Sequence, residues 1–130
     1  MNFQYLLKGE DKQLCTGLLH SEVWCKCKYA SCRATPIHKD MIDCYERLRI
    51  KLNVPLKINS GHRCAQHNYD SGGSPKSFHQ SFLAIDIAYT GALLNFPQEI
   101  VIKHIQEAGF QFSYYDSVKH FFHCQVSRFL

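Results

Sequence analysis

Ser77-Phe78-His79-Gln80-Ser81-Phe82-Leu83-Ala84-Ile85-Asp86-Ile87-Ala88-Tyr89 is the stretch on which the rest of the chain is read. From Leu83 to Tyr89 the side chains alternate: Leu83, Ile85 and Ile87 point one way, and Ala84, Asp86 and Ala88 the other, which is the period of a strand. A carboxylate in the middle of so apolar a strand is costly unless paired or metal-bound, and here it stands on a face kept small by alanines. Outward from this strand, Ser60 to Ser77 reads as a long polar loop carrying Gly61, Gly72, Gly73 and Pro75. Val54 to Asn59 before it reads as a short strand with Pro55 at its entry. Upstream, Thr35-Pro36 resembles a helix start, since Thr caps and Pro tolerates the first helical position. Ile37, Met41, Cys44 or Tyr45, Leu48 and Leu52 then recur at helical spacing, predicting a helix from about Pro36 to Asn53 with one core-facing side. Downstream, Asn95 to Ala108 reads as a second helix stopped by Gly109. Phe110 to Tyr115 and Val118 to Val126 read as strands joined around Asp116-Ser117. The order helix, strand, loop, strand, helix, hairpin predicts an α+β domain with a small antiparallel sheet.

The 130 residues amount to one domain, with no linker and no internal repeat. A hydrophobic fraction of 45% with 20% charged residues excludes disorder and fibrous classes. No apolar run approaches the roughly 20 residues of a membrane span. The first residues lack the pattern of a Sec signal, so the expectation is synthesis in the cytoplasm, followed by packaging in a virion or release to the cell wall. The net charge of +4 is spread without a Lys/Arg block, so the expected partners include neither nucleic acid nor membrane. Residues 1–35 read as an irregular cap containing Cys15, Cys25, Cys27 and Cys32. Seven cysteines is an odd count, which favours reduced thiols or a metal knot over a disulfide framework. Cys25, Cys27 and Cys32, joined by Cys15 or Cys44, are one candidate knot, although C-x-C-x4-C is not the usual C-x-x-C knuckle; buried or loosely paired thiols are the other reading. Cys64 and Cys124 flank motif residues and are candidates to approach one another. His62, His67 and His104 read as surface or supporting residues, His67 as one that orients a ligand. The aromatic run Phe110, Phe112, Tyr114, Phe121, Phe122 reads as core.

His79 ends the loop, Asp86 stands on its strand, and His123 lies on the last strand. Two imidazoles and one carboxylate suit a catalytic Zn2+ that keeps a fourth position for water. Spacing alone does not separate such a set from structural histidines.

Ser60-Gly61-His62-Arg63, then Asn68, Gly72-Gly73, Ser77-Phe78-His79 and Ala84-Ile85-Asp86-Ile87 in that order resemble the signature of the zinc D-Ala-D-Ala carboxypeptidase and peptidoglycan endopeptidase family. That signature reads S-G-[YH]-R, an Asn, G-G, S-x-H-x-x-G-x-A-x-D-[IL], and a final strand His. The resemblance runs from about Cys25 to Val126. It implies the D-Ala-D-Ala carboxypeptidase-like (hedgehog/peptidase-like) zinc fold, with His79, Asp86 and His123 as zinc ligands. It implies Arg63 facing the scissile carbonyl as oxyanion stabiliser, Ser77 holding the substrate or the ligand loop, and Asn68 with the glycine pair framing the cleft. The implied substrate is a peptidoglycan peptide cut next to a D-amino acid.

The sequence departs from this pattern at three positions. Phe82 stands where the family has glycine. The positions of the family's carboxylate base, three before or two after the last ligand, hold His120 and Gln125. Gln does not take a proton from water, and a His120 on a regular strand faces away from His123. Asp116 is the nearby carboxylate, and it reaches the site only if its turn folds over it. Two functions therefore stand side by side: an active peptidase using His120 or Asp116 as base, or a degenerate copy acting as a structural or wall-binding module in a phage particle, with other virion proteins as partners.

Overall fold

The computed structural model describes residues 3–127. β1 (Phe3–Leu7) opens the chain, β2 (Gln13–Cys15) and β3 (Leu18–Leu19) form a short ribbon, and β4 (Ala34–His38) returns to pair antiparallel with β1. α1 (Lys39–Leu52), β5 (Ile58–Ser60), α2 (Ala65–Asp70), β6 (Ala84–Ala88), α3 (Gln98–Glu107), β7 (Phe112–Asp116) and β8 (Phe121–Gln125) follow. The main sheet is antiparallel in the order β5-β6-β8-β7, so the α+β class expected from the sequence holds. Among the described residues no helix is long and apolar enough to cross a membrane.

Residues 3–35, the described part of the expected irregular cap 1–35, are more ordered than that, and the first helix starts later than Thr35-Pro36 suggests. Pro36 lies within β4 opposite Tyr5, at an edge where its missing N–H breaks no ladder. The Thr35 hydroxyl caps nothing; it is buried and lies 2.8 Å from Nε2 of His20. Pairing with β1, some thirty residues upstream, overrides the local capping signal. α1 then runs to Asn53, whose left-handed φ of 50° ends it, a conformation that Asn accepts more readily than most residues. The expected strand at 54–59 is confined to Ile58–Ser60, and the 60–77 loop contains α2. α2 is only six residues long, and its Cys64 cap accepts the His67 N–H through sulfur, a weak signal in sequence.

The two faces of the main sheet divide the work. Ile85 and Ile87 of β6 and Phe122 and Cys124 of β8 join Met41, Tyr45 and Leu48 of α1 and Val101 and Ile105 of α3 in one buried cluster. The alternate residues, Asp86, His123 and Gln125, face the other way. The same alternation splits the aromatic tail: Phe110 and Phe122 are buried in the core, whereas Phe112 and Tyr114 are each 43% exposed. Not all of that run is core.

Phe82 stands where the signature it was compared with has glycine. It closes the 3-10 turn Phe78–Ser81 in the left-handed region, φ 53°, where glycine has no Cβ penalty. Here a fully buried ring offsets that penalty by joining the core.

Candidate metal centre

Sheet register places the site. Ser60 pairs with Asp86, Asp86 with His123, and His123 with Tyr114, so a row of side chains crosses four strands. His79 is added from the 3-10 turn, whose start is set by Ser77: its Oγ accepts the His79 N–H at 3.2 Å, as a helix cap does. Donor atoms of His79, Asp86 and His123 lie within 4.8 Å of one another. Asp86 Oδ1 is 3.2 Å from His79 Nε2 and 2.9 Å from His123 Nδ1.

The outer nitrogens decide what the inner ones are. His79 Nδ1 is 2.7 Å from the Gly61 carbonyl, which only accepts, so Nδ1 carries the hydrogen and donates it. Gln125 Nε2 donates to the Ser127 carbonyl at 3.0 Å, which turns Oε1 towards His123 Nε2 at 2.7 Å; that nitrogen is therefore also a donor. In the neutral rings, His79 Nε2 and His123 Nδ1 are left with lone pairs aimed at a carboxylate oxygen. Three acceptors converging without a proton between them are a cradle for a cation, with both imidazoles oriented by outer partners as metal-ligating histidines usually are. Desolvation by burial pushes the Asp86 carboxyl up; when the cradle holds protons in place of a cation, the hydrogen bonds and charges of protonated His123 and His79 outweigh that and hold it at about 2. The carboxylate is thus available as a ligand across the neutral range. The donor set fits a divalent metal.

Gln125, read from sequence as a failed base, is the residue that orients His123. Gln125→Leu is expected to weaken metal binding at this site by about 10- to 100-fold, the usual loss when such an outer partner is removed. Competition against a chelator of known affinity measures it; an unchanged affinity would show that the Gln125 contact does not orient the ring.

Gly61 has a comparable task from the other side. A Cβ there would lie 2.5 Å from the Val23 carbonyl oxygen and 2.6 Å from its Cα. These are backbone atoms, which do not rotate aside. Gly61→Ala is expected to destabilise the fold by about 1 to 3 kcal/mol as an overpacking change and to move the carbonyl that holds His79. Denaturant unfolding of the metal-free protein reads the first effect, and a variant as stable as the parent would refute it.

The metal cradle floors a cleft of about 610 Å³, walled by Arg63, Ser74, Ser77, Tyr114, Asp116 and Lys119 among others. Arg63 is tied in by its backbone N–H, which donates to the His79 carbonyl at 3.0 Å. Its Nη2 lies 3.5 Å from Ser77 Oγ, and its buried Nε has no hydrogen-bond partner. The guanidinium is thus beside the cradle with donors to spare. Tyr114 stacks on His123, ring centroids 4.9 Å apart. Asp116 lines the cleft from the sheet face that carries Tyr114. Its Oδ1 accepts the Val118 and Lys119 N–H groups at 2.9 Å each, and Oδ2 makes no hydrogen bond among the described residues.

Two expected site residues lie elsewhere. His120 precedes β8 in the turn at φ 56° and is exposed, with Nδ1 2.9 Å from the Tyr115 hydroxyl; it does not line the cleft. Asn68 is buried beneath the glycine loop, its Nδ2 donating to the Ser74 carbonyl at 2.8 Å. It braces the cleft wall and offers no group to a substrate in the cleft.

One further histidine and several cysteines are placed differently from the surface and pairing readings. His62 is buried; desolvation pushes its pKa down to about 4, so it is a neutral interior residue and not a surface one. Cys64 lies with Cys25, Cys27 and Cys32, and neither Cys15 nor Cys44 takes the fourth place. Cys15 Sγ lies against the Thr16 carbonyl, and Cys44 Sγ accepts from Arg47. Cys124 is fully buried on the opposite, core face of the sheet, so it does not approach Cys64 across the site.

An α+β fold with an N,N,O donor set flooring an open cleft is that of a metallopeptidase-like domain. The family profile described as Peptidase M15 matches residues 17–125. The chain belongs to the peptidase M15 family, that of the zinc D-Ala-D-Ala carboxypeptidases. No curated protein matches it.

Proposed function

We propose that this protein is a zinc-dependent peptidase that cuts a cell-wall peptide next to a D-amino acid. The observation that carries the reading is the pair of imidazoles whose outer nitrogens are pinned by Gly61 and Gln125, so that both inner lone pairs meet Asp86 at the floor of a cleft. Two nitrogens and one oxygen make the donor set of a catalytic zinc, with one position left open. When bound there, zinc polarises a carbonyl and makes water a nucleophile near neutral pH.

The chain's own groups do the rest. Arg63 offers a fixed guanidinium to the oxygen that becomes negative as the peptide carbonyl is attacked. Ser77 holds the Arg63 side chain and the His79 turn together. Asp116 takes the proton from the attacking water through Oδ2, as the one carboxylate besides Asp86 that lines the cleft among the described residues. Arg63, Lys76 and Lys119 outnumber the two carboxylates of the cleft, which favours a peptide carrying a free carboxylate at or near its end.

The test is hydrolysis of a peptide ending in D-Ala-D-Ala and of purified peptidoglycan, with the L-Ala-L-Ala isomer as control. Cleavage of the D isomer alone, lost with a chelator and restored by zinc, is the expected result. Stoichiometric zinc with no cleavage of any of the three would overturn the peptidase reading. The fold would then be a wall-binding module, the reading supported by the absence of a carboxylate from positions 120 and 125.

A further inference from the structure

We propose that Cys25, Cys27, Cys32 and Cys64 hold a structural zinc ion in a closed four-sulfur site, which clamps the 23–33 segment onto the turn that presents Gly61 and Arg63. The four sulfurs lie within 4.8 Å of one another. Sulfurs at the corners of a tetrahedron with zinc–sulfur bonds of about 2.3 Å are about 3.8 Å apart, so the cluster is already close to the size of a ligand shell. None of the four is in a disulfide.

A second observation is the direction of the hydrogen bonds around them. The Cys64 N–H donates to Cys25 Sγ at 3.3 Å, and the His67 N–H to Cys64 Sγ at 3.4 Å. Lys8 Nζ donates to Cys27 Sγ at 3.5 Å, and His67 Nδ1 lies 3.2 Å from Cys25 Sγ. Cys25, Cys27 and Cys64 thus each have at least one nitrogen group directed at the sulfur, the kind of outer contact that orients metal ligands. Four thiolates and one divalent ion carry a net charge of about −2. The charged residues lining the surface grooves on either side of the cluster are Lys8, Lys26, Lys28 and Arg33 against the single carboxylate of Asp70, a net basic surround of the right sign.

The local fold supplies the reason for such a site. Between Trp24 and Arg33 the chain has neither helix nor strand, and Cys25 is its only buried side chain. Ordering ten residues with so little apolar burial requires another source of free energy, and a metal bound only by the folded state is one. The clamp acts where it matters for the cleft. Cys64 follows Arg63 directly and caps α2, while the His62 N–H donates to the Val23 carbonyl at 2.7 Å two residues before Cys25. With four protein donors no position is open for water, so the site is structural. It shares no residue with the His79, Asp86, His123 cradle, and it stands or falls independently of the peptidase reading.

The test is elemental analysis of the full-length protein purified under reducing conditions, beside Asp86→Ala. About two zinc ions per chain are expected for the parent and about one for the variant, the sums for one open and one closed site. The ion remaining in Asp86→Ala should leave when a mercurial titrates the thiols. Cobalt loaded into that variant should show the intense thiolate-to-cobalt charge-transfer absorption of a sulfur-ligated tetrahedral ion. Cys27→Ser in the Asp86→Ala background should lose the last ion; if it fails to fold, the cobalt spectrum of Asp86→Ala decides alone. A folded Asp86→Ala protein that binds no zinc, cobalt bound there without thiolate absorption, or a disulfide among the four cysteines under these conditions would each overturn the proposal. A parent holding one ion that survives Asp86→Ala but not thiol titration would refute the His cradle and leave this site standing.

Discussion

Asp86→Ala is expected to release the metal held with His79 and His123 and to abolish hydrolysis. The carboxylate contributes the only negative charge of the cradle, from a position 13% exposed between two imidazoles at 3.2 and 2.9 Å. Removing one partner from a buried charged set typically costs about 3 to 5 kcal/mol, which at about 1.4 kcal/mol per decade corresponds to roughly 10² to 10⁴ in metal affinity. At ordinary zinc concentrations that empties the site. The fold itself should survive, because the core face of β6, with Ile85 and Ile87, is untouched. Zinc titration followed by calorimetry, with far-ultraviolet circular dichroism as the control for folding, reads both effects. A variant that binds zinc at the cradle as tightly as the parent would mean that Asp86 is not a ligand.

Asp116→Asn is expected to lower turnover by about 10² to 10⁴, the usual contribution of a positioned general base, while zinc content and stability stay unchanged. The substitution is nearly isosteric, and the amide oxygen can accept the same two N–H groups, from Val118 and Lys119, that hold the turn. What it removes is the carboxylate charge on the wall of the cleft. His120→Ala is the matched control: its ring lies against Tyr115 outside the cleft, so turnover should be preserved. Steady-state kinetics on the D-Ala-D-Ala peptide settles the assignment. Full activity in Asp116→Asn with loss in His120→Ala would transfer the base to His120 and require the 116–120 turn to rearrange when substrate binds.

The two departures from the family pattern at positions 120 and 125 had physical causes that no local rule contains. His120 is displaced by a left-handed backbone just before β8 begins, whereas a period-2 reading carries the strand through it. Gln125 has the alternation expected of the site face, yet its role depends on a carbonyl two residues on, at Ser127, that sets which end of its amide meets His123. Side-chain type alone marked it as a poor base, which is true, and gave no hint that it orients a ligand.

The short-range regularities were determined by the chain itself. Alternation from Leu83 to Tyr89 put Asp86 and the isoleucines on opposite faces, and the 3.6-residue recurrence of Met41, Tyr45, Leu48 and Leu52 marked the buried side of α1, because both periods arise from backbone geometry over a few residues. Tertiary structure decided everything that joins distant segments. The Gly61 carbonyl meets His79 across 18 residues, Asp86 meets His123 across 37, and Cys64 meets Cys25 across 39. Thr35 and Pro36, which carry a sound helix-start signal, were drawn into a strand by β1. A helix cap is typically worth about 1 kcal/mol, and a paired strand with a buried Thr35 and Ile37 outweighs it; that balance exists only once the chain has folded back on itself.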